Sequence, residues 1–194
     1  MIHCHMAYKL TPYGEVSVRA AQKGTKMTKM TQTAKTGSEK GTDLSRFWEE
    51  LESEGWKANN PYLLLLGFDP MDTARLVERV EEGLSFGALE RLRQNMSLSM
   101  EEMAGLVQIK PRTLDRRKKE GWLHPEESDR VLRACRVFGR AIALFEGDGE
   151  GALGWLSMAQ RALGGAVPLE MARTEIGARE VEGLIGRLEH GVFS

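Results

Sequence analysis

Cysteine is nearly absent from this chain. Cys4 and Cys135 are the two present in 194 residues. They are too few and too far apart for a disulfide framework, so a reducing, cytoplasmic setting is expected. Histidine is scarce as well, at four residues. The cluster His3-Cys4-His5 can offer copper or nickel a square-planar set with the terminal amine, but no further ligands accompany it. Neither a metal nor a cofactor is expected. Long apolar runs are missing too. The longest lies around Leu63–Leu66, far short of the ~20 residues that span a bilayer. Residues 1–30 lack the apolar centre of a signal peptide. No membrane association is expected. There is no Ser/His/Asp order and no phosphate-binding glycine loop, since Leu163-Gly164-Gly165 lacks the flanking strand and lysine. His124 and His190 read as helix-end residues, so no enzymatic chemistry is expected.

Net charge is also small, at −1, but it hides an asymmetry. Residues 1–42 carry seven Lys/Arg and two Glu, a balance of +5, and the remaining 152 residues balance at −6. Within that acidic body, residues 110–119 hold six basic side chains: Lys110, Arg112, Arg116, Arg117, Lys118 and Lys119. Pro111 suits the first position of a helix, and Gly121 can end it in a left-handed conformation. Leu114 is the one large apolar residue and is expected to anchor the helix inward. Just upstream, Ser99 and Glu102 have the spacing of a capping box. Met103, Leu106 and Val107 then share one helical face. Two short helices across a tight turn, the second basic, describe a helix-turn-helix over about 99–120. Lys110, Arg112, Thr113, Arg116, Arg117 and Lys118 are the expected DNA contacts, with arginine able to pair bidentately with guanine. The turn holds Gln108, which tolerates a left-handed backbone less well than glycine.

In chain order, residues 1–42 read as a disordered basic segment, rich in Lys, Thr, Gly and Gln. Met27 and Met30 are plausible internal starts, so residues 1–29 read as a candidate upstream extension. Helices are expected over Asp43–Glu54 with Asp43 as cap, over Thr73–Glu82 and over Leu84–Gln94, and Asn60–Gly67 reads as a buried helix, with a strand as the alternative that lacks a partner strand. The longest helix is expected from His124-Pro125 to about Phe145. Its stripe Val131, Cys135, Phe138, Ile142 and Phe145 reads as core, with a dimer seam as the alternative. Gly147, Gly149, Gly151 and Gly154 mark an expected domain boundary. A last helix, Thr174 to His190, places Val181, Leu184, Ile185 and Leu188 on one face. Gly191 closes it, and Val192-Phe193 form an apolar tip suited to an interaction. The fold class is all-α: a helical domain over 43–146 and a smaller one over 147–194.

With both halves in view, the chain resembles the Xre/MbcA/ParS antitoxins. The resemblance rests first on RTLDRR (112–117), Glu127-Ser128-Asp129-Arg130 and Ala141. It rests further on Trp155-Leu156, ALGG (162–165), Pro168-Leu169, Thr174, Gly177, Val181 and Gly191. It implies a homodimeric antitoxin that represses its own operon through operator DNA. It further implies that residues 147–194 bind a RES-domain toxin, one that consumes NAD or uses it for ADP-ribosylation. The toxin contacts expected on this basis are Arg187, His190, Gly191, Val192, Phe193 and Ser194, with the chain end blocking the active-site entrance. The alternative is a stand-alone transcriptional regulator whose C-terminal module dimerises or senses a ligand.

Overall fold

A computed structural model describes the backbone of residues 6–10, 16–20, 40–57 and 59–191, and the side chains of 43–56 and 59–191. The chain forms two units, Met1–Ser38 and Glu39–Ser194.

The first unit departs from the expectation of disorder over 1–42. Strands β1 (Met6–Leu10) and β2 (Val16–Ala20) pair antiparallel, with Met6 opposite Ala20 and Leu10 opposite Val16. In sequence, Met6, Tyr8 and Leu10 alternate with Ala7 and Lys9, and Val16, Val18 and Ala20 with Ser17 and Arg19. That is the two-residue period of a strand. The polar composition of the segment masks it.

The second unit is all-helical, as expected. Helix α1 spans Lys40–Glu54, α2 Thr73–Glu82, α3 Phe86–Asn95, α4 Met100–Leu106 and α5 Pro111–Glu120. Then follow α6 (Pro125–Leu144), α7 (Gly149–Leu156), α8 (Pro168–Met171) and α9 (Glu175–Glu189). Asp43 does not cap α1, which begins three residues earlier. Its carboxylate instead faces Arg91 at 3.8 Å and accepts from Asn95 Nδ2 at 3.4 Å. Leu63–Leu66 belong to a 3-10 helix, Pro61–Leu66, whose six residues are all buried. Its carbonyls find partners elsewhere: Asn95 Nδ2 donates to Leu65 O at 2.9 Å, and the Cys135 thiol to Tyr62 O at 3.1 Å. Burial pushes the Cys135 thiol well up, so it is a packed and unreactive group.

Helix α6 is the beam of this unit. It packs against α2, the 3-10 helix, α7 and α9. Val131, Cys135, Phe138 and Ile142 of its stripe are fully buried, so the stripe serves the core within the chain. Glu39–Ser194 is one compact unit, and the expected boundary at 147 falls in it between α6 and α7. Gly147 makes a turn at φ 90°, but Gly149, Gly151 and Gly154 lie within α7. At Gly149 a Cβ would press on Leu44 at 3.3 Å. That glycine allows close packing of α7 on α1.

Candidate nucleic-acid interface and C-terminal surface

The helix-turn-helix assembles as its sequence dictates. The Ser99 hydroxyl accepts from Glu102 N at 3.2 Å, and the Glu102 carboxylate accepts from Ser99 N at 2.7 Å. This closes the capping box at the start of α4. Met103 and Val107 are fully buried. The turn runs through Gln108 at φ 52°, the left-handed conformation that glycine adopts more readily. Its carbonyl is held by Arg130 Nη1 of α6 at 2.9 Å, which offsets part of the strain. Helix α5 starts at Pro111 and ends at Gly121, at φ 85°.

The phase of α5 follows from burial. Leu114 is 2% exposed and Arg117 4%. These residues are three apart and face inward together. Arg117 therefore does not reach solvent, contrary to its expected role on DNA. Its Nε donates to Glu127 Oε2 at 2.7 Å and its Nη1 to Glu120 Oε2 at 2.6 Å. Burial alone would raise the Glu127 carboxyl. Hydrogen bonds from Arg117 and from the His124 N–H hold it below the ordinary carboxylate value. This ion pair fastens α5 to the first turn of α6.

Of the other expected DNA contacts, Lys110, Arg112, Arg116 and Lys118 are exposed and Thr113 is half-buried. At 100° per residue, Arg112 and Arg116 point away from the Leu114–Arg117 face, and so does Lys119. Lys119 was not among the expected contacts, although the spacing 112, 116, 119 carries the signal. Arg116 sits 3.7 Å from Glu120, an exposed pair of little energetic weight. Among the described residues, no carboxylate pairs with Lys110, Arg112, Lys118 or Lys119. A rigidly fastened helix with cations aligned outward can lie along a phosphate-lined groove.

In the C-terminal part, α9 is capped by Thr174, whose Oγ1 accepts from Gly177 N at 3.1 Å. Arg133 donates to Glu175 at 3.1 Å and to Arg173 O at 2.9 Å. Arg136 donates to Glu182 at 2.6 Å and to Glu175 at 3.3 Å. These bonds lock α9 along α6. Val181, Leu184 and Ile185 are buried there, so that face is not free to hold a partner. Arg187, His190 and Gly191 lie exposed at the far end of α9. Val192, Phe193 and Ser194 lie outside the described residues.

Comparison with known proteins agrees with both halves. Residues 75–134 match the antitoxin Xre-like helix-turn-helix domain. Residues 140–191 match the antitoxin Xre/MbcA/ParS C-terminal toxin-binding domain. An "Antitoxin Xre" of Yersinia enterocolitica is 40% identical over 120 residues, 61% of this chain and 81% of that protein. One of Photorhabdus laumondii is 32% identical over 137 residues, 70% of this chain and 93% of that protein. A third, of Pseudomonas putida, is 28% identical over 58% of this chain and 70% of that protein. With a helix-turn-helix leading into a toxin-binding domain, and with relatives matched over most of their length, the chain belongs to the Xre antitoxins, a non-enzymatic family.

Proposed function

We propose that this antitoxin neutralises a RES-domain toxin by blocking its active site with the C-terminal end of the chain. We also propose that it represses its own operon as a homodimer in the cytoplasm, with α5 in the major groove of the operator. The observation that carries the DNA role is the outward alignment of Arg112, Arg116 and Lys119 on a helix fastened behind by Leu114 and Arg117. The toxin role is supported by what α9 leaves available. Its apolar face is occupied by α6, which leaves its outer side and its end available, and the toxin is assigned to that end: Arg187, His190, Gly191 and the Val192-Phe193-Ser194 that follow. A toxin that binds a dinucleotide has a concave pocket. A short end bearing one aromatic anchor can plug it.

Two experiments test this reading separately. In a gel-shift titration, Arg116→Ala weakens operator binding and lowers the salt slope by about 0.9, one phosphate contact, with an unchanged thermal melt. An unchanged slope and affinity would remove α5 from the interface. In co-expression with the adjacent toxin gene, deletion of residues 191–194 reduces growth rescue and toxin affinity while operator binding persists. Full rescue at unchanged affinity would place the block elsewhere in 147–190.

A further inference from the structure

We infer that Asp115 is a base-reading residue: its carboxylate accepts a hydrogen bond from the N4 amino group of a cytosine in the major groove. This rests on α5 entering that groove, as proposed above, and adds what the helix discriminates once there.

Asp115 is the one acidic residue among the six cations of 110–119. It is exposed and lies on the shoulder of the outward face, next to Arg116 in sequence. Arg112 stands three residues before it and Lys119 four after, the spacings at which opposite charges on a helix pair. Yet among the described residues the Asp115 carboxylate forms no ion pair and no hydrogen bond. The acidic partner of α5's own cations is Glu120, which takes both Arg116 and Arg117. Nor does Asp115 help the helix start. It is the fifth residue of α5, beyond the first turn whose free N–H groups a carboxylate stabilises. Aspartate is also a poor interior helix former. No intrachain role accounts for this side chain.

On a surface that lies along phosphates, an unpaired carboxylate opposes binding. It is compensated where a donor faces it. In the major groove the donors are the amino groups of cytosine and adenine, and acidic side chains match the single N4 donor of cytosine. A guanine O6 or thymine O4 at the same place would set acceptor against acceptor and be rejected. The position fits, because base edges are read from the first half of a recognition helix. The arginines on either side supply affinity, and Asp115 withholds it from wrong sequences.

The test is selection from a library of randomised duplex DNA on the full chain, run in parallel for wild type, Asp115→Ala and Asp115→Asn. The wild type enriches a motif with cytosine at one fixed position. Asp115→Ala loses about 5- to 150-fold discrimination at that position, with the rest of the motif intact. It binds unselected duplex at least as well as wild type. Asp115→Asn moves the preference toward adenine, which asparagine pairs bidentately. Circular dichroism melts of both variants match wild type. Identical motifs for wild type and Asp115→Ala overturn the inference and leave the DNA role standing. Loss at every position with a lowered melt also overturns it, by making Asp115 a structural residue. A wild type that enriches nothing overturns the operator reading itself.

Discussion

Replacing Arg117 by alanine tests how α5, the helix proposed to face DNA, is held. The side chain is 5% exposed and its partner Glu127 13%. Removing one member of a buried ion pair costs about 3–5 kcal/mol, because the other charge is left desolvated. Here the lower end applies. Glu127 keeps its bond from the His124 N–H at 2.8 Å, and the half-exposed Glu120 returns to water. A loss of about 3 kcal/mol is expected, part of it from packing of the arginine stem. For a unit the size of residues 39–194, that lowers the melting temperature by roughly 6–12 °C. Urea denaturation of Arg117→Ala, Glu127→Ala and the double variant gives the coupling between the two. About 1–3 kcal/mol is expected for groups in direct contact. A single variant that melts within about 1 °C of wild type, with no coupling, would refute the argument that this pair fastens α5. Arg117→Ala examined well below its melting point also keeps the wild-type salt slope, since no phosphate contact is lost.

Two further outcomes follow from the packing of α9 and from its ion pairs. Gly177→Ala destabilises by about 1–3 kcal/mol, because the new Cβ collides with the Met171 carbonyl, a backbone group that cannot turn aside. Gly186→Ala in the same helix meets no atom within 4 Å and gains about 0.5–1 kcal/mol, so their melts diverge in opposite directions. Glu127 and Glu175 both titrate below the ordinary 4.5 in the folded chain, where burial is outweighed by hydrogen bonds and arginine charges. Their stabilisation is therefore fully present above about pH 5 and is lost as pH falls through the folded values. Urea midpoints that hold steady from pH 7 to about pH 3 would contradict this, and Glu127→Gln removes part of the acid sensitivity.

Features fixed by a few neighbouring residues were legible in the sequence. The capping box at Ser99 and Glu102, the bounds of α2, and α9 between Thr174 and His190 depend on spacing of three or four residues and stand as expected. Features fixed by distant partners were not. Asp43 has the look of a cap, but Arg91 and Asn95, some 50 residues on, claim its carboxylate. In sequence, Arg117 belongs to its basic run as part of a block of charge. Its helical phase alone puts it beside Leu114, and only the fold shows Glu127 waiting there. The glycines after 146 read as a domain boundary by composition, and the sequence does not show that the missing Cβ of Gly147 and Gly149 leaves room for Trp48 and Leu44 of α1. The network of Arg133 and Arg136 with Glu175 and Glu182 joins residues about 40 apart and leaves no local trace in the chain.

Helix α6 ties these separate readings together. The helix-turn-helix match ends at 134 and the toxin-binding match begins at 140, so both modules draw on its 20 residues. Its first turn holds Arg117 through Glu127, and its second holds the Gln108 turn through Arg130. Its middle grips α9 through Arg133 and Arg136, and its last turns bury Phe138 and Ile142 against the core. A helix of this length spans about 30 Å. The face proposed to meet an operator and the end proposed to meet a toxin therefore hang from one stiff element, the continuous helix α6. The glycine-rich stretch after it is itself a helix, α7, packed against α6, so the two matched modules meet along α6.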